Sequence, residues 1–167
     1  EISFSRPSIY NYFESKEEIF LALFEREYVL WTEELRGLRA EAARSDRAIL
    51  AEKIGETLEK RKFLLKLLSV NLYDVEGNSR IERLVSFKTA YGRSRDELAN
   101  LIGACYPHMP EREIQSFVFT FLPFLHGVYP YASATEKQIE AMDQAGIAHP
   151  RTTIKELVKS ALLRMLP

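Results

Sequence analysis

Apolar residues recur at helical spacing along nearly the whole chain, and this pattern is the strongest constraint on the fold. Spacings of three and four residues place side chains on one face of a helix, whereas a half-buried strand would alternate every second residue. No alternating stretch competes with the helical pattern. The first long stretch runs from Ser15 to about Arg44. Its predicted inward residues are Ile19, Leu23, Tyr28, Trp31, Leu35 and Leu38. The pattern predicts an all-α chain.

Glycine and proline mark the breaks between the helical stretches. Only seven of each occur in 167 residues, and they cluster where the periodicity stops, as at Gly77 and between Pro107 and Pro110. Further helices are predicted from Ser45, through the apolar block Phe63–Tyr73, from Ser79 to about Tyr106, from Glu111 to about Val128, around Thr135–Ala145, and from about Thr152.

Composition excludes several classes of protein. An apolar fraction of 46 % supports a substantial core, and one cysteine excludes a disulfide framework. The three histidines and Cys105 lie far apart in sequence, without the spacing of a metal site. No glycine-rich phosphate loop or nucleophile elbow is present. We therefore expect neither enzymatic activity nor a cofactor. Without a membrane-length apolar run or a signal peptide, the chain is predicted to be cytoplasmic and to have no membrane partner.

The stretch from Ser5 to Glu18 indicates a short helix, a tight break and the start of a long helix. Ser5 is a suitable N-cap, and Pro7 falls in the first turn, where a missing N–H costs nothing. Ser15 then caps the next helix, and Glu18 three residues later completes a capping box. Because Ile9 and Phe13 can both face inward, the intervening polar and aromatic residues point elsewhere.

Lys16 is unusual in the first turn of the second of these helices. The helix macrodipole disfavours a cation at an N-terminus. An anion nearby, such as a phosphate, would account for Lys16 at this position.

These residues resemble the recognition-helix region of the TetR (tetracycline-repressor-like) family of bacterial transcription regulators. The matching run is Ile9-Tyr10-Asn11-Tyr12-Phe13, followed by Ser15-Lys16-Glu17-Glu18 before an apolar run. The segment Phe124–Tyr131 is similar to one in a subset of the family. The resemblance implies an all-α, TetR-like fold. Residues 1–16 would be the remnant of a DNA-binding helix-turn-helix head, here called the head segment, and residues 17–167 a helical effector-binding and dimerisation domain.

The resemblance implies a DNA-contacting role for most of the head segment. A recognition helix lies in the major groove, where Arg6 can donate to guanine, Ser8 to either kind of base, and Pro7 and Tyr10 can contact a thymine methyl group. Asn11, Tyr12 and Lys16 match family positions that hold backbone phosphates. The predicted DNA-binding residues are Ser5, Arg6, Pro7, Ser8, Tyr10, Asn11, Tyr12 and Lys16. The alternative for Tyr10 and Tyr12 is ordinary packing.

The charge balance gives little support to DNA binding. The net charge is −1, and Arg6 and Lys16 are offset by Glu1 and Glu14 in the head segment. The sequence begins at Glu1 without Met, in what the family would treat as the end of a second helix. The resemblance implies that a first helix and most of a second are absent here, and these can carry further phosphate-binding groups.

The last two long helices are predicted to form a homodimer interface, as their counterparts do in the family. The helix after Glu111 is apolar on nearly all sides, so that a single chain could not cover all of its apolar surface. The predicted interface residues are Phe117, Phe121, Leu125, Leu157, Ala161, Leu162 and Met165. The alternative is that both helices fill the core of the monomer.

An effector cavity is predicted between the helices. Apolar walls with few polar groups are typical of small-molecule sites. The predicted lining residues are Trp31, Phe63, Asn71, Phe87, Tyr91, Phe121, Phe124 and His126. The alternative for each is plain core packing. Lys88 is the one nearby cation, more simply explained as a surface lysine.

The sequence thus predicts a homodimeric repressor, released from double-stranded operator DNA by a small, mostly apolar effector. Two alternatives remain: a helical protein-interaction module, and a small-molecule carrier without DNA binding.

Overall fold

A computed structural model describes residues 12–41, 46–70, 72–149 and 151–167. Within these ranges the chain is helical and contains no β-strand, which confirms the predicted fold class. The described helices are α1 (Lys16–Glu41), α2 (Arg47–Lys60), α3 (Lys62–Leu68), α4 (Leu72–Gly77), α5 (Ile81–Cys105), α6 (Glu111–Ala132), α7 (Glu136–Gln144) and α8 (Ile154–Met165).

The two longest helices, α1 and α5, form the most extensive helix pair of the fold. Their buried residues follow each other at alternating intervals of three and four, which is the heptad spacing of a coiled-coil seam. On α1 the seam consists of Leu21, Phe24, Tyr28, Trp31 and Leu35, and on α5 of Phe87, Ala90, Ser94, Glu97 and Leu101. Such a seam keeps two helices in contact over their whole length.

Polar contacts fix the direction and register of this pair. Along α1 they involve Glu18, Glu25, Thr32 and Arg39, at intervals of seven residues. Their partners on α5, or on the residue that caps it, are Arg80, Ser86, Ser94 and Glu97, in the same order. Because rising residue numbers pair with rising residue numbers, α1 and α5 run parallel.

The inward face of α1 differs from the expected one in its first turns. Leu21 and Phe24 are buried, whereas Ile19 and Leu23 are partly exposed. The periodicity of a straight helix predicts Ile19 and Leu23 as inward residues. Packing against the parallel helix α5 instead buries residues at heptad spacing, and in the first turns these are Leu21 and Phe24. Downstream, Tyr28, Trp31 and Leu35 are buried as expected.

Helices α2 and α8 pack antiparallel, with their backbones close together. Lys155 and Lys159 of α8 form ion pairs with Glu52 of α2, in each case at 2.8 Å. Hydrogen bonds from these two ammonium groups lower the pKa of Glu52 to about 2. A Cβ atom added to Gly55 would lie 3.0 Å from the backbone oxygen of Lys155, so α2 approaches α8 through a glycine.

Within the single chain, helix α6 is buried on one face only. It continues through Pro123 and Pro130 to Ala132, beyond the predicted end at Val128. Its inner face packs against α3, α5 and α8. The outer face carries Phe119, with 63 % of its surface exposed. The buried residues of α6 are Ile114, Phe117, Val118, Phe121, Leu122, Leu125 and Val128.

Candidate functional site

The beginning of α1 is the point where the head segment meets the helical domain. The Ser15 hydroxyl accepts a hydrogen bond from the Glu18 amide at 3.3 Å, which is the N-cap that the sequence predicts. The Glu18 carboxylate reaches back to the amide of Glu14 at 2.9 Å, and not to Ser15 as a regular capping box would require. The Glu18 carboxylate is therefore directed towards the residues that precede α1, and Glu18 is almost fully buried.

Arg80, just before α5, binds the Glu18 carboxylate through two nitrogen atoms on one edge of its guanidinium group. Its Nε and Nη2 atoms donate to the two carboxylate oxygens at 2.6 and 2.8 Å, and its backbone N–H donates at 3.2 Å. Paired N–H donors match a carboxylate in geometry as well as in charge. The hydrogen bond from Arg80 is the main reason why the pKa of Glu18 falls to about 2. This pair joins residues 62 positions apart.

A second arginine holds the chain immediately before α1. Arg83 donates to the backbone carbonyl of Tyr12 at 3.0 Å, and its guanidinium carbon lies 4.9 Å from the centre of the Phe13 ring. The Ser15 hydroxyl also donates to the carbonyl of Asn78 at 3.2 Å. We call this set, Tyr12–Glu18 with Asn78, Arg80 and Arg83, the head junction. It ties the described end of the head segment to the start of α5.

Two predicted DNA-binding residues lie within the described part of the chain. The Tyr12 side chain is exposed, and so is that of Lys16, whose ammonium group is 3.6 Å from Glu17. Neither side chain is needed for core packing. The other predicted DNA-binding residues lie outside the described residues: Ser5, Arg6, Pro7, Ser8, Tyr10 and Asn11.

Three of the aromatic residues predicted to line an effector cavity are core residues. Trp31, Phe87 and Phe121 are buried to within 1 % of full burial. The Trp31 Nε1 atom donates to the Thr57 hydroxyl at 3.1 Å, which satisfies the only polar atom of its ring. Phe87 lies 6.0 Å from the ring centre of Tyr28. In this structure these side chains are packed against protein.

The remaining predicted lining residues are dispersed. Phe63 and His126 are exposed, while Tyr91 and Phe124 are partly buried. Desolvation lowers the pKa of His126, against the opposing effect of a hydrogen bond with the Leu68 backbone. Asn71 lies outside the described residues. Lys88 pairs with Glu76 at 2.6 Å on the surface. The described residues of this set do not line either of two cavities that the structure contains elsewhere.

One of these cavities is an apolar groove, and its lining residues lie between Pro130 and Leu157 in the sequence. It has a volume of about 840 Å³ and lies between the end of α6, α7, the segment that follows α7, and α8. Its apolar walls include Tyr131, Ile139, Met142, Ile147, Ala148 and Leu157. We call this cavity the α7 groove. The other cavity, of about 460 Å³, lies at the head junction beside Arg80 and Arg83.

Local sequence signals build the α7 groove. Thr135 and Gln138 form a reciprocal capping box that starts α7. Gly146, at a φ of 67°, ends the helix in the left-handed conformation that favours glycine. The Ile147 amide then donates to the Met142 carbonyl at 2.9 Å, the long bond of a Schellman motif. This motif brings Ile147 and Met142 together on the wall of the groove.

Comparison with known proteins identifies the domain that these helices form. A family model described as "Tetracyclin repressor-like, C-terminal domain" matches residues 25–166. This chain is a member of that family. A comparison with curated proteins found no match.

The matched range of the tetracyclin repressor-like domain includes only one side of the head junction. Arg80 and Arg83 lie inside it, whereas Tyr12–Glu18 precede it. Both arginines escaped the sequence analysis, because nothing local marks an arginine whose partner lies more than sixty residues away. Arg80 occupies the N-cap position of α5, and an arginine in place of a capping side chain was the one available signal.

The tetracyclin repressor-like domain covers by itself several residues that we expected at a dimer interface. Phe117, Phe121, Leu125 and Leu162 are buried inside the single chain, because the three-and-four spacing of each helix directs them into the core. They therefore offer little surface to a partner. Leu157, Ala161 and Met165 are partly exposed.

Neither metal chemistry nor membrane insertion is supported within the described ranges. No three histidine, cysteine or acidic side chains there converge on a point where an ion could be held. No helix in the same ranges combines the length and apolarity needed to cross a bilayer.

Proposed function

We propose that this chain is the regulatory part of a DNA-binding transcription repressor, which acts in the cytoplasm as a homodimer and is released from its operator by a small, mostly apolar effector. The family match over residues 25–166 carries the proposal. The head segment supports it, since the recognition-helix motif ends at Glu18, a few residues before the matched range begins at residue 25. Operator DNA and the effector would be its two ligands.

The head junction supports a regulatory role, because it mechanically connects the head segment to the domain. Arg80 and Arg83 bind Tyr12 and Glu18 from the N-terminal end of α5. The polar contacts further along α1 and α5 hold these helices in one register. A displacement of α5 would therefore be transmitted to the start of α1 and to the head segment. Coupling between two ligands requires an element of this kind, whose position both ligands influence.

The outer face of α6 supports a dimer, although through different residues from most of those first expected. From Ser116 onwards, its exposed residues continue at helical spacing for four turns and carry no formal charge. They are Ser116, Phe119, Thr120, Pro123, His126, Gly127, Pro130 and Tyr131. An uncharged stripe with exposed aromatic rings is typical of an association surface. Leu157, Ala161 and Met165 of α8 remain candidates beside it.

Operator binding tests the proposed function directly. The full-length protein would be subjected to in vitro selection from a random DNA library, followed by fluorescence anisotropy with the selected sequence. We expect selected sites to contain two related half-sites, because a two-fold dimer presents two reading heads. Failure to enrich any sequence would reject the proposal. If such a protein still bound small molecules, the carrier alternative would replace it.

A charge on the outer face of α6 tests the dimer separately. Phe119→Glu should lower the solution mass from dimer to monomer without unfolding the chain, because Phe119 contributes little to the core. Val85→Glu is the matched control, since Val85 is 55 % exposed on α5. Sedimentation velocity on both variants measures the result. An unchanged dimer for Phe119→Glu, or a monomer for the unmutated protein, would place the interface elsewhere or exclude it.

A further inference from the structure

We infer that the α7 groove is a binding site for a small amphipathic carboxylate, with an apolar body along α7 and an anionic end at Arg151. This inference deepens the proposed function and rests on it where the carboxylate acts as the effector. Trp31, Phe87 and Phe121, which the sequence predicts to line a cavity, are packed in the core, whereas the α7 groove is open.

The size and walls of the groove suit a small molecule. A volume of about 840 Å³ lies within the range of about 300–1,000 Å³ that is usual for ligand pockets. Ile139 and Met142 contribute apolar surface from α7, and Leu157 contributes it from α8. No residue of α7 is buried, so its apolar side has little protein packed against it. A ligand between α7 and the end of α6 would supply that missing burial.

The charge of the lining selects the sign of the ligand. Arg151 is the only lysine, arginine, aspartate or glutamate in the described lining. Within the described ranges no carboxylate forms an ion pair with it. Guanidinium groups bind carboxylates through paired N–H donors. The groove therefore favours an anion over a cation and leaves a position for one negative group.

Two of the residues that line the groove also carry unsatisfied polar atoms. Ser133 Oγ and His149 Nδ1 are both hidden from solvent and have no hydrogen-bond partner among the described residues. The nearest carboxylate to His149 Nδ1, that of Asp143, is 3.6 Å away, too far for a hydrogen bond. Native proteins rarely leave such atoms unpaired, and each one costs stability. Because the Ser133 hydroxyl is hidden from solvent in this structure, it could donate to a bound carboxylate only after a change of rotamer.

Three probes that each contain a ten-carbon chain and carry different polar ends test this inference on the chain itself. Decanoate, decanol and decyltrimethylammonium would be titrated by calorimetry below their micelle concentrations. We expect decanoate to bind at least about tenfold more tightly than decanol, corresponding to one charge-assisted interaction. Decyltrimethylammonium should bind most weakly. Equal affinity for all three probes, or no binding by any of them, would overturn the inference.

Variants then test whether Arg151 binds the carboxylate and whether the groove binds the apolar chain. Arg151→Gln should reduce decanoate affinity about tenfold and leave decanol affinity unchanged, whereas Arg164→Gln, an exposed arginine of α8 outside the groove, should change neither. Ile139→Glu should weaken decanoate binding without unfolding the chain, because α7 buries no residue. If Ile139→Glu instead dissociated a dimer and left binding intact, the groove would be a subunit contact and the inference would be wrong.

The regulatory role of the site is tested by a separate measurement. In the full-length protein, saturating decanoate should lower operator affinity, and Arg151→Gln should remove that response. Decanoate binding that depends on Arg151 without any change in operator affinity would support the site and overturn its role as the effector site. A full-length protein that binds no DNA would reject the proposed function and leave the calorimetric result standing.

Discussion

Glu18 is the residue on which the head junction depends most, because its buried carboxylate accepts four of the hydrogen bonds found there. The donors are the amides of Glu14 and Arg80 and two guanidinium nitrogens of Arg80. A buried carboxylate stripped of its cation is costly. Arg80 is thus required wherever Glu18 is charged, and the two residues act as one unit.

The pH dependence of stability should report on this pair. Glu18 has a pKa of about 2 in the folded chain, against about 4.3 for an unfolded glutamate. Its contribution is therefore complete above about pH 4.3 and is lost as the pH falls towards 2. Arg80→Gln should flatten this loss, since the hydrogen bond from Arg80 is the main cause of the low pKa. Urea unfolding between pH 7 and pH 2 measures it.

The control for this measurement is Arg95→Gln. Arg95 pairs with the adjacent Asp96 at 2.7 Å on the surface, where ion pairs contribute little. Glu52 also has a lowered pKa and keeps its partners in both variants, so its effect cancels in the comparison. If the Arg80→Gln variant lost as much stability between pH 7 and pH 2 as the unmutated chain, Arg80 would not be the main cause of the low pKa of Glu18.

Lys16 should contact a phosphate without reading the DNA sequence. Its exposed pair with Glu17, at 3.6 Å, is weak and leaves the ammonium group available. In the full-length protein, Lys16→Ala should reduce the slope of log K against log salt by about 1 for each half-site. Lys53→Ala is the control, because Lys53 pairs with Glu41 at the other end of α1. Identical slopes for both variants would remove Lys16 from the interface.

At the scale of elements, the heptad seam makes α1 and α5 a single mechanical unit. Helix α1 has 26 residues and a length of about 39 Å at 1.5 Å per residue. Contacts from Glu18 to Arg39 connect it to α5 along most of that length. A head connected to such a pair moves with both helices, which favours transmission of a displacement over its absorption within α1.

The close approach of α2 and α8 gives an element-scale prediction with opposite signs for two glycines. Gly92→Ala on α5 should raise the free energy of unfolding by about 0.5–1 kcal/mol, because alanine favours the helix and its Cβ would meet nothing within 4 Å. Gly55→Ala should instead lower it by about 1–3 kcal/mol, because its Cβ would lie 3.0 Å from the Lys155 oxygen. Chemical denaturation compares them, and an equal gain for both would show that α8 can shift.

At the scale of the whole molecule, stability should be distributed unevenly between α5 and α7. Helix α5 is built into the core along its length, whereas α7 has no buried residue. Local opening is easiest where few apolar contacts must be broken. Amide hydrogen exchange should therefore be slowest around Phe87–Leu101 and fastest, among the described helices, in α7. Equally slow exchange in α7 would mean that something else covers it.

Much of the fold could be predicted from the sequence because helices are local structures. Three-and-four periodicity gave the all-α class, and Ser15 and Thr135 marked helix starts that the structure confirms. The recognition-helix motif led to the family that the match over residues 25–166 bears out. The periodicity and the helix starts depend on residues within about four positions of one another, and the helix itself fixes how such residues lie relative to each other.

Only the tertiary structure decided which faces are buried and which distant residues meet. It placed Leu21 and Phe24 inside in preference to Ile19 and Leu23, turned Phe119 outwards, and brought Arg80 to Glu18. It also packed Trp31, Phe87 and Phe121 into the core and left a groove beside α7. These outcomes depend on how whole helices pack against one another across the chain. A helical pattern fixes the spacing of side chains along each helix, but not the neighbour that each of its faces will find.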